Sequence, residues 1–269
     1  MRALRRLRLG LRGSSERVYF ALCLSLGRLL RLGRYSKARI VRPNGDCRVR
    51  KHRVFYAPLL IWTGGLLLRI LDAGVQILPQ RGWEERERQI YWRVRGTSIL
   101  IDPDGTLVLP CLPGRTLAAL LEDPELAQAG RRTAIECAAA ALAEFHRLDL
   151  THGDAMAENV LVDLEAGLAH WFDFETEHES SRPAVWRRAD DVRALLVTCL
   201  IRTDPAKFAE TLGRILDVYQ DEDVARELAA SFTAILRRPL SFHLAQAGLS
   251  FQSFQEMARL LHARAQMAG

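Results

Sequence analysis

HGDAMAENVLVDLEAGLAHWFDFE, residues 152–175, decides how this chain is read. It holds Asp154, then Asn159 five residues on, then the apolar run Val160 to Val162, a turn, a second run from His170 to Phe172, and Asp173 at its end. Two short strands joined by a turn form a hairpin. The hairpin returns Asp173 to the loop that carries Asp154 and Asn159.

Moving a phosphoryl group from ATP needs a carboxylate that orients the attacking hydroxyl and accepts its proton. It also needs oxygen ligands that hold Mg²⁺ on the phosphates. Asp154 suits the first role, Asn159 and Asp173 the second. Mg²⁺ takes few protein ligands and completes its shell with phosphate and water oxygens, so one amide and one carboxylate make a reasonable set.

Outward from this stretch, residues 131–147 predict a buried helix, because Ile135, Ala138, Leu142 and Phe145 recur at helical spacing. The chemistry therefore falls on the loop that follows it. Downstream, helical periodicity runs from Asp190 almost to the end. Upstream, Ala38 to Val41 and Cys47 to Val49 flank Pro43-Asn44-Gly45, a hairpin signal. Val54 to Leu78 is apolar and broken by Pro58, Gly64 and Gly65, which predicts one or two short helices. Trp83 to Arg95 predicts a charge-dense helix with Trp83, Ile90, Tyr91 and Val94 as its apolar positions. Two short strands follow, Ser98 to Ile101 and Thr106 to Leu109, around a Pro-Asp-Gly turn. The turn-rich Pro110 to Arg115 reads as a connector.

The His-Gly-Asp loop with Asn five residues after the Asp, and the Asp-Phe motif at 173–174, resemble the protein-kinase-like superfamily. The preceding Phe145-His146 resembles its small-molecule branch: aminoglycoside and choline kinases, Rio-type kinases and lipopolysaccharide core sugar kinases. The resemblance covers about 47–200. It implies an α+β, two-lobed fold with a small, mostly β N-lobe at 37–113 and a helical C-lobe at 114–269, after a basic leader at 1–36. It also implies that His152 braces the loop rather than acting as base. Lys51, on the face of its strand shared with Val49, is the expected ATP lysine; of the other two lysines, Lys37 lies in the leader and Lys207 far past the metal motif. Its glutamate partner is expected on the following helix, where Glu84, Glu85 and Glu87 compete and Glu87 borders the buried face. Asp191 resembles the aspartate that holds the catalytic loop from a later helix, with Asp190 as rival and an ordinary helix cap as the plainer reading. Leu109 to Leu117 resembles the adenine-binding hinge. Two departures stand out: no Gly-rich phosphate loop precedes Lys51, and Glu175 replaces the glycine of the metal motif. They leave a pseudokinase, a kinase-shaped binding module, as the alternative.

Of 269 residues, 49% are hydrophobic and 26% charged, which excludes a disordered chain. The five cysteines show no metal-ligand spacing and predict free thiols in a reducing compartment. Residues 1–53 hold 16 Lys or Arg against 2 acids, leaving 22 against 30 for the remainder. A basic end on an acidic body points to an anionic partner. An amphipathic helix on a membrane, with Tyr19, Phe20, Leu22, Leu26, Leu29 and Leu30 in the interface, is the preferred reading of the leader; a cleaved presequence and a nucleic-acid arm compete. No apolar run is long enough to span a bilayer.

The leader, the apolar stretch at 54–78 and the small C-terminal half favour a sugar or lipid-linked hydroxyl as acceptor. An activation segment ending in Ala-Pro-Glu is absent after Asp173, which speaks against a protein kinase; a soluble small-molecule acceptor stays open. Arg182, Arg187 and Arg188 are candidates to meet acceptor phosphates. The expected setting is an ATP- and Mg²⁺-dependent enzyme on the inner face of a bacterial cell membrane, without nucleic acid as partner.

Overall fold

A computed structural model describes residues 35–42, 45–70, 72–231 and 251–267. The leader as far as residue 34 lies outside the described residues, as do Pro43 and Asn44 of the expected turn.

β1 (Ser36–Val41) and β2 (Arg48–Arg53) pair antiparallel, with Ala38 opposite Lys51. β2 continues onto β5 (Leu107–Pro110) and β5 onto β4 (Leu100–Ile101), giving an antiparallel sheet in the order β1-β2-β5-β4. Alternation along β2 buries Lys51 and leaves Arg50 in solvent. The turn between β4 and β5 closes through Gly105 N–H to Asp102 O at 2.9 Å.

The apolar stretch after β2 folds into one helix, α1 (Ala57–Ile70), and one strand, β3 (Val75–Ile77). Ala57, Gly64 and Leu68 form the buried face of α1, while Leu59, Trp62 and Leu66 are exposed. α2 (Gln80–Arg95) buries Trp83, Glu87, Ile90 and Tyr91, one stripe at helical spacing that draws a carboxylate into the interior. Val94, expected on that stripe, is 40% exposed. Gly96, left-handed at φ 60°, ends the helix by donating its N–H to Trp92 O.

In the connector Gly114 holds φ +96°, and a Cβ there would stand 2.3 Å from the carbonyl oxygen of Val162. Only glycine lets the chain pass so close to the strand it is about to pair with. β6 (Arg115–Thr116) then pairs with β7 (Val160–Asp163), which pairs with β8 (Leu168–Trp171). Thr116 caps α3 (Leu117–Glu122), its hydroxyl accepting from Ala119 N–H at 3.2 Å.

The helical half packs α4 (Gln128–Arg147), α5 (Ala184–Leu200), α6 (Phe208–Tyr219), α7 (Glu222–Ser231) and α8 (Phe251–Met267). α4 buries the expected Ile135, Ala138, Leu142 and Phe145. Each large apolar side chain so buried contributes roughly 1.5–3 kcal/mol. α5 is buried without interruption from Ala189 to Leu200, as befits a helix surrounded by others. One apolar core runs from Trp83 and Leu107 through Leu142 and Val160 to Leu195 and Ile215. β9 (Thr176–His178), directly after Glu175, pairs with β3, which follows α1.

The expectation of free thiols throughout is corrected at one pair: Cys47 and Cys111 form a disulfide, with their Cα atoms 5.4 Å apart. Arg48 faces Pro110 in the β2–β5 ladder, so the next positions outward are these two cysteines. Their separation of 64 residues hides a neighbourhood created by strand pairing. Cys137 and Cys199 are free.

Candidate active site

The loop after α4 is fixed from α5. Asp191, wholly buried, accepts from the backbone N–H groups of His152 at 2.6 Å and Gly153 at 2.8 Å, and lies 3.0 Å from His146 Nε2. Burial alone would raise its pKa; the surrounding His178, His146 and His152 outweigh that and hold it at about 2. Asp191 sits well inside α5, so it is no helix cap. Asp190 points elsewhere, to His178 at 3.2 Å and to Arg193.

His152 is bound at both ring nitrogens, Nε2 to Phe172 O at 2.9 Å and Nδ1 to Asp154 N–H at 3.3 Å. An acceptor on one side and a donor on the other select the neutral ring with its proton on Nε2. Burial pulls its pKa down to about 4, only partly offset by Asp191, in keeping with a neutral bracing ring. Gly153 follows at φ +83°, where a Cβ would stand 3.1–3.2 Å from the backbone of Glu177 on β9. The strand passing over the loop would have to give by a few tenths of an ångström to admit a Cβ.

Asn159 Nδ2 donates to Asp154 Oδ2 at 3.0 Å and to Asp154 O at 2.8 Å, which fixes the carboxylate plane. The carbonyl oxygen of Asn159 accepts from Phe172 N–H at 3.0 Å, extending the β7–β8 ladder and bringing Asp173 beside it. Asp173 itself adopts φ +70°, a left-handed conformation uncommon outside glycine and concentrated at functional sites.

Lys51 crosses from the sheet into this loop. Its Nζ bonds Asp173 Oδ1 and lies 3.1 Å from Glu175 Oε1 and 3.4 Å from Glu87 Oε1. Burial would lower the lysine pKa, but Asp173, Glu87 and Glu175 together raise it. Burial pushes Glu87 up, against the pull of Lys51, Trp83 Nε1–H and Phe174 N–H. Among the three candidate glutamates it is Glu87 that reaches the lysine; Glu84 bonds Gln80 at 2.6 Å and Glu85 bonds Arg88 at 2.6 Å.

Further residues belong to the cluster. Glu175 bonds Arg53 at 3.2 Å and the Ser36 hydroxyl. Arg86 on α2 donates to Thr151 O at 2.5 Å and pairs with Glu177 at 3.3 Å, linking that helix to the catalytic loop. Burial, with the carboxylates of Glu175 and Asp154, pushes the Tyr35 phenol up. Of these, Glu175 alone left a signal in the sequence, as the departure from glycine. Arg182, expected to face an acceptor, is instead paired with Asp72 and stacked on Trp186 at 5.0 Å. Arg188 lies 3.7 Å from Asp149.

A buried lysine joined to a helix glutamate, a carboxylate beside an amide on a rigid loop, and a second carboxylate at a strand end define an ATP-dependent phosphotransferase of the protein-kinase-like superfamily. Within that class, residues 113–211 match the lipopolysaccharide kinase (Kdo/WaaP) family. The matched stretch contains Asp154, Asn159, Asp173 and Asp191, whereas Lys51 and Glu87 lie outside it and stand on geometry. No curated protein sequence matches the chain.

Proposed function

We propose that the chain transfers the γ-phosphate of ATP to a sugar hydroxyl of the lipopolysaccharide core at a membrane surface. The observation that carries this reading is that Lys51 reaches from β2 to Asp173, whose neighbour Phe172 is bonded to Asn159, the residue that holds Asp154, within a stretch matching this family. We take the chain from 37 as a mostly β lobe and from 114 as a helical lobe, with Lys51 on the first and Asp154, Asn159 and Asp173 on the second.

Asp154, oriented by Asn159 and His152, accepts the proton of the acceptor hydroxyl as its oxygen bonds the γ-phosphorus, and ADP departs with the electron pair of the broken P–O bond. Lys51 holds the phosphates, exchanging its bond with Asp173 for phosphate oxygens. Asn159 spends its NH₂ on Asp154 and keeps its amide oxygen, and Asp173 stands beside it; two hard oxygen donors fit Mg²⁺. When bound, Mg²⁺ neutralises charge on the β- and γ-phosphates. His152 and Asp191 position the loop.

Because ATP is the donor, the reaction belongs on the cytoplasmic face of the membrane. The test is transfer from labelled ATP to core oligosaccharide with and without Mg²⁺. Asp154→Ala should lower turnover about 10²–10⁴-fold while nucleotide affinity stays. Near-normal turnover in that variant overturns Asp154 as base; metal-independent nucleotide binding with no transfer to any acceptor favours the pseudokinase.

A further inference from the structure

A cavity of about 360 Å³ lies between the C-terminal end of α2, the C-terminal half of α4 and the β7–β8 hairpin. None of Lys51, Asp154, Asn159 or Asp173 lines it, so it is separate from the phosphotransfer site. Its volume falls within the roughly 300–1,000 Å³ of small-molecule sites. Val94, Ala141, Phe145, Leu168, Trp171 and Phe174 give it apolar walls.

The polar content of those walls is one-sided. Arg95 donates through Nη2 to Trp171 O at 2.8 Å and lies with its guanidinium 4.5 Å over the Tyr91 ring, yet Nε and Nη1 are buried without an acceptor. Trp171 Nε1–H is likewise buried and unmatched. The one carboxylate in the lining, Glu144, is engaged by Arg147 at 2.5 Å. Buried donors are ordinarily paired, and a desolvated cation calls for an anion. With Arg147 balanced by Glu144, three unmatched donors and the charge of Arg95 beside an apolar hollow describe the complement of an amphiphilic anion.

We propose that this cavity binds a small carboxylate carried on an apolar body, with the body against Phe145, Trp171 and Phe174 and the carboxylate on Arg95 and Trp171 Nε1. The site adjoins the catalytic loop through aromatic contacts. Phe174 stacks on Phe145 at 5.6 Å and lies 4.9 Å from the His152 ring, and Trp171 lies 5.4 Å from it. An occupant therefore packs on the rings that support His152, next in sequence to Asp173.

The probe is 2-naphthoate, with neutral 2-naphthalenemethanol as its control, read by thermal shift and titration calorimetry on the full chain. A ligand that binds only the folded state raises its melting temperature in a saturable way. The expected result is saturable binding of the acid at least 10-fold tighter than of the alcohol, undisturbed by saturating ADP. Arg95→Gln should bring acid and alcohol within about 2-fold of each other, and Ala141→Phe, which fills the cavity, should abolish both. No saturable binding, equal binding of acid and alcohol to the wild type, displacement by ADP, or affinities unchanged in Ala141→Phe overturns the proposal. Should Arg95→Gln fail to fold, Ala141→Phe and the acid–alcohol comparison decide it.

Discussion

Glu175 and Arg53 are bonded across 122 residues of sequence, Oε2 to Nη1 at 3.2 Å, while the other oxygen of Glu175 lies 3.1 Å from Lys51 Nζ. The residue at the glycine position of the expected metal motif thus grips β2, the strand that carries Lys51. A glycine there would leave Arg53 with its bond to Leu78 O and its stacking 4.5 Å over Trp83, and no carboxylate within ion-pair distance.

Glu175→Gln should accordingly act with opposite signs on stability and on nucleotide binding. Unpairing buried cations costs up to about 3–5 kcal/mol, less here because Lys51 retains Asp173 and Glu87, so a loss of roughly 1–3 kcal/mol is expected in denaturant unfolding. Removing a negative charge from beside the phosphate lysine should tighten ATP binding roughly 3- to 10-fold by calorimetry. A variant that binds ATP more weakly while staying folded would show that Glu175 orders the nucleotide site instead of competing for its lysine.

The acid limb of the stability profile should report His152. Its pKa is about 4 in the folded protein against about 6.5 when unfolded, so between these values the unfolded chain binds the extra proton. Stability is then full above pH 6.5 and is lost as pH falls toward 4, by on the order of 2–3 kcal/mol. Asp191, held at about 2, adds its own loss only below about pH 4. Urea unfolding of wild type and His152→Asn from pH 7 to 4 separates this term from other titrations: the wild type should fall more steeply. Parallel curves would mean that His152 is not buried neutral.

Gly153 is held at the catalytic loop by its neighbour and not only by its φ. With a Cβ 3.1–3.2 Å from three backbone atoms of Glu177, β9 or the loop must yield. Gly153→Ala should cost about 1–3 kcal/mol, the scale of a strained left-handed position, and lower kcat more than it raises the KM for ATP, since Asp154, the proposed base, is the next residue. An unchanged kcat with lowered stability would confine the glycine to a folding role.

How much of this was legible beforehand follows the range of the interactions. Asp154, Asn159 and Asp173 share one hairpin, so their proximity could be read from spacing and strand pairing. Lys51 came from the scarcity of lysines and a resemblance, and α2 from its apolar stripe, which also singled out Glu87. What spacing could not show was pairing between distant strands: Cys47 with Cys111 through the β2–β5 ladder, β9 with β3, and with it the reason for Gly153. Arg86 and Arg53 were hidden for another cause. Among 38 basic residues, no local pattern distinguishes a buried arginine from a solvated one.

The exposed face of α1 bears on the proposed contact with a membrane surface. Phe55 is 93% exposed, Leu59 63%, Trp62 67% and Leu66 49%, and the last three fall at i, i+3 and i+7 on one side of the helix. No acidic residue lies between Arg53 and Asp72, and among the described residues no helix is long and apolar enough to cross a membrane. An apolar helix face with aromatic residues is suited to lie in the interface of a bilayer. Partial burial of a Trp and a Leu there is worth roughly 1–2 kcal/mol each, so Trp62→Ser with Leu66→Ser should weaken binding to vesicles containing anionic lipid at least 10-fold. Basic residues of the leader add about 1 kcal/mol each near such a surface, screened within ~8 Å at physiological salt. High salt should therefore release most of the binding that depends on residues 1–34 and leave the part that depends on α1. Sedimentation with vesicles, at two salt concentrations, of the wild type, the α1 double variant and a chain beginning at residue 35 separates the two contributions. Equal sedimentation of wild type and double variant at high salt would exclude α1 from the membrane contact, and transfer to a lipid-linked acceptor should then be indifferent to both substitutions.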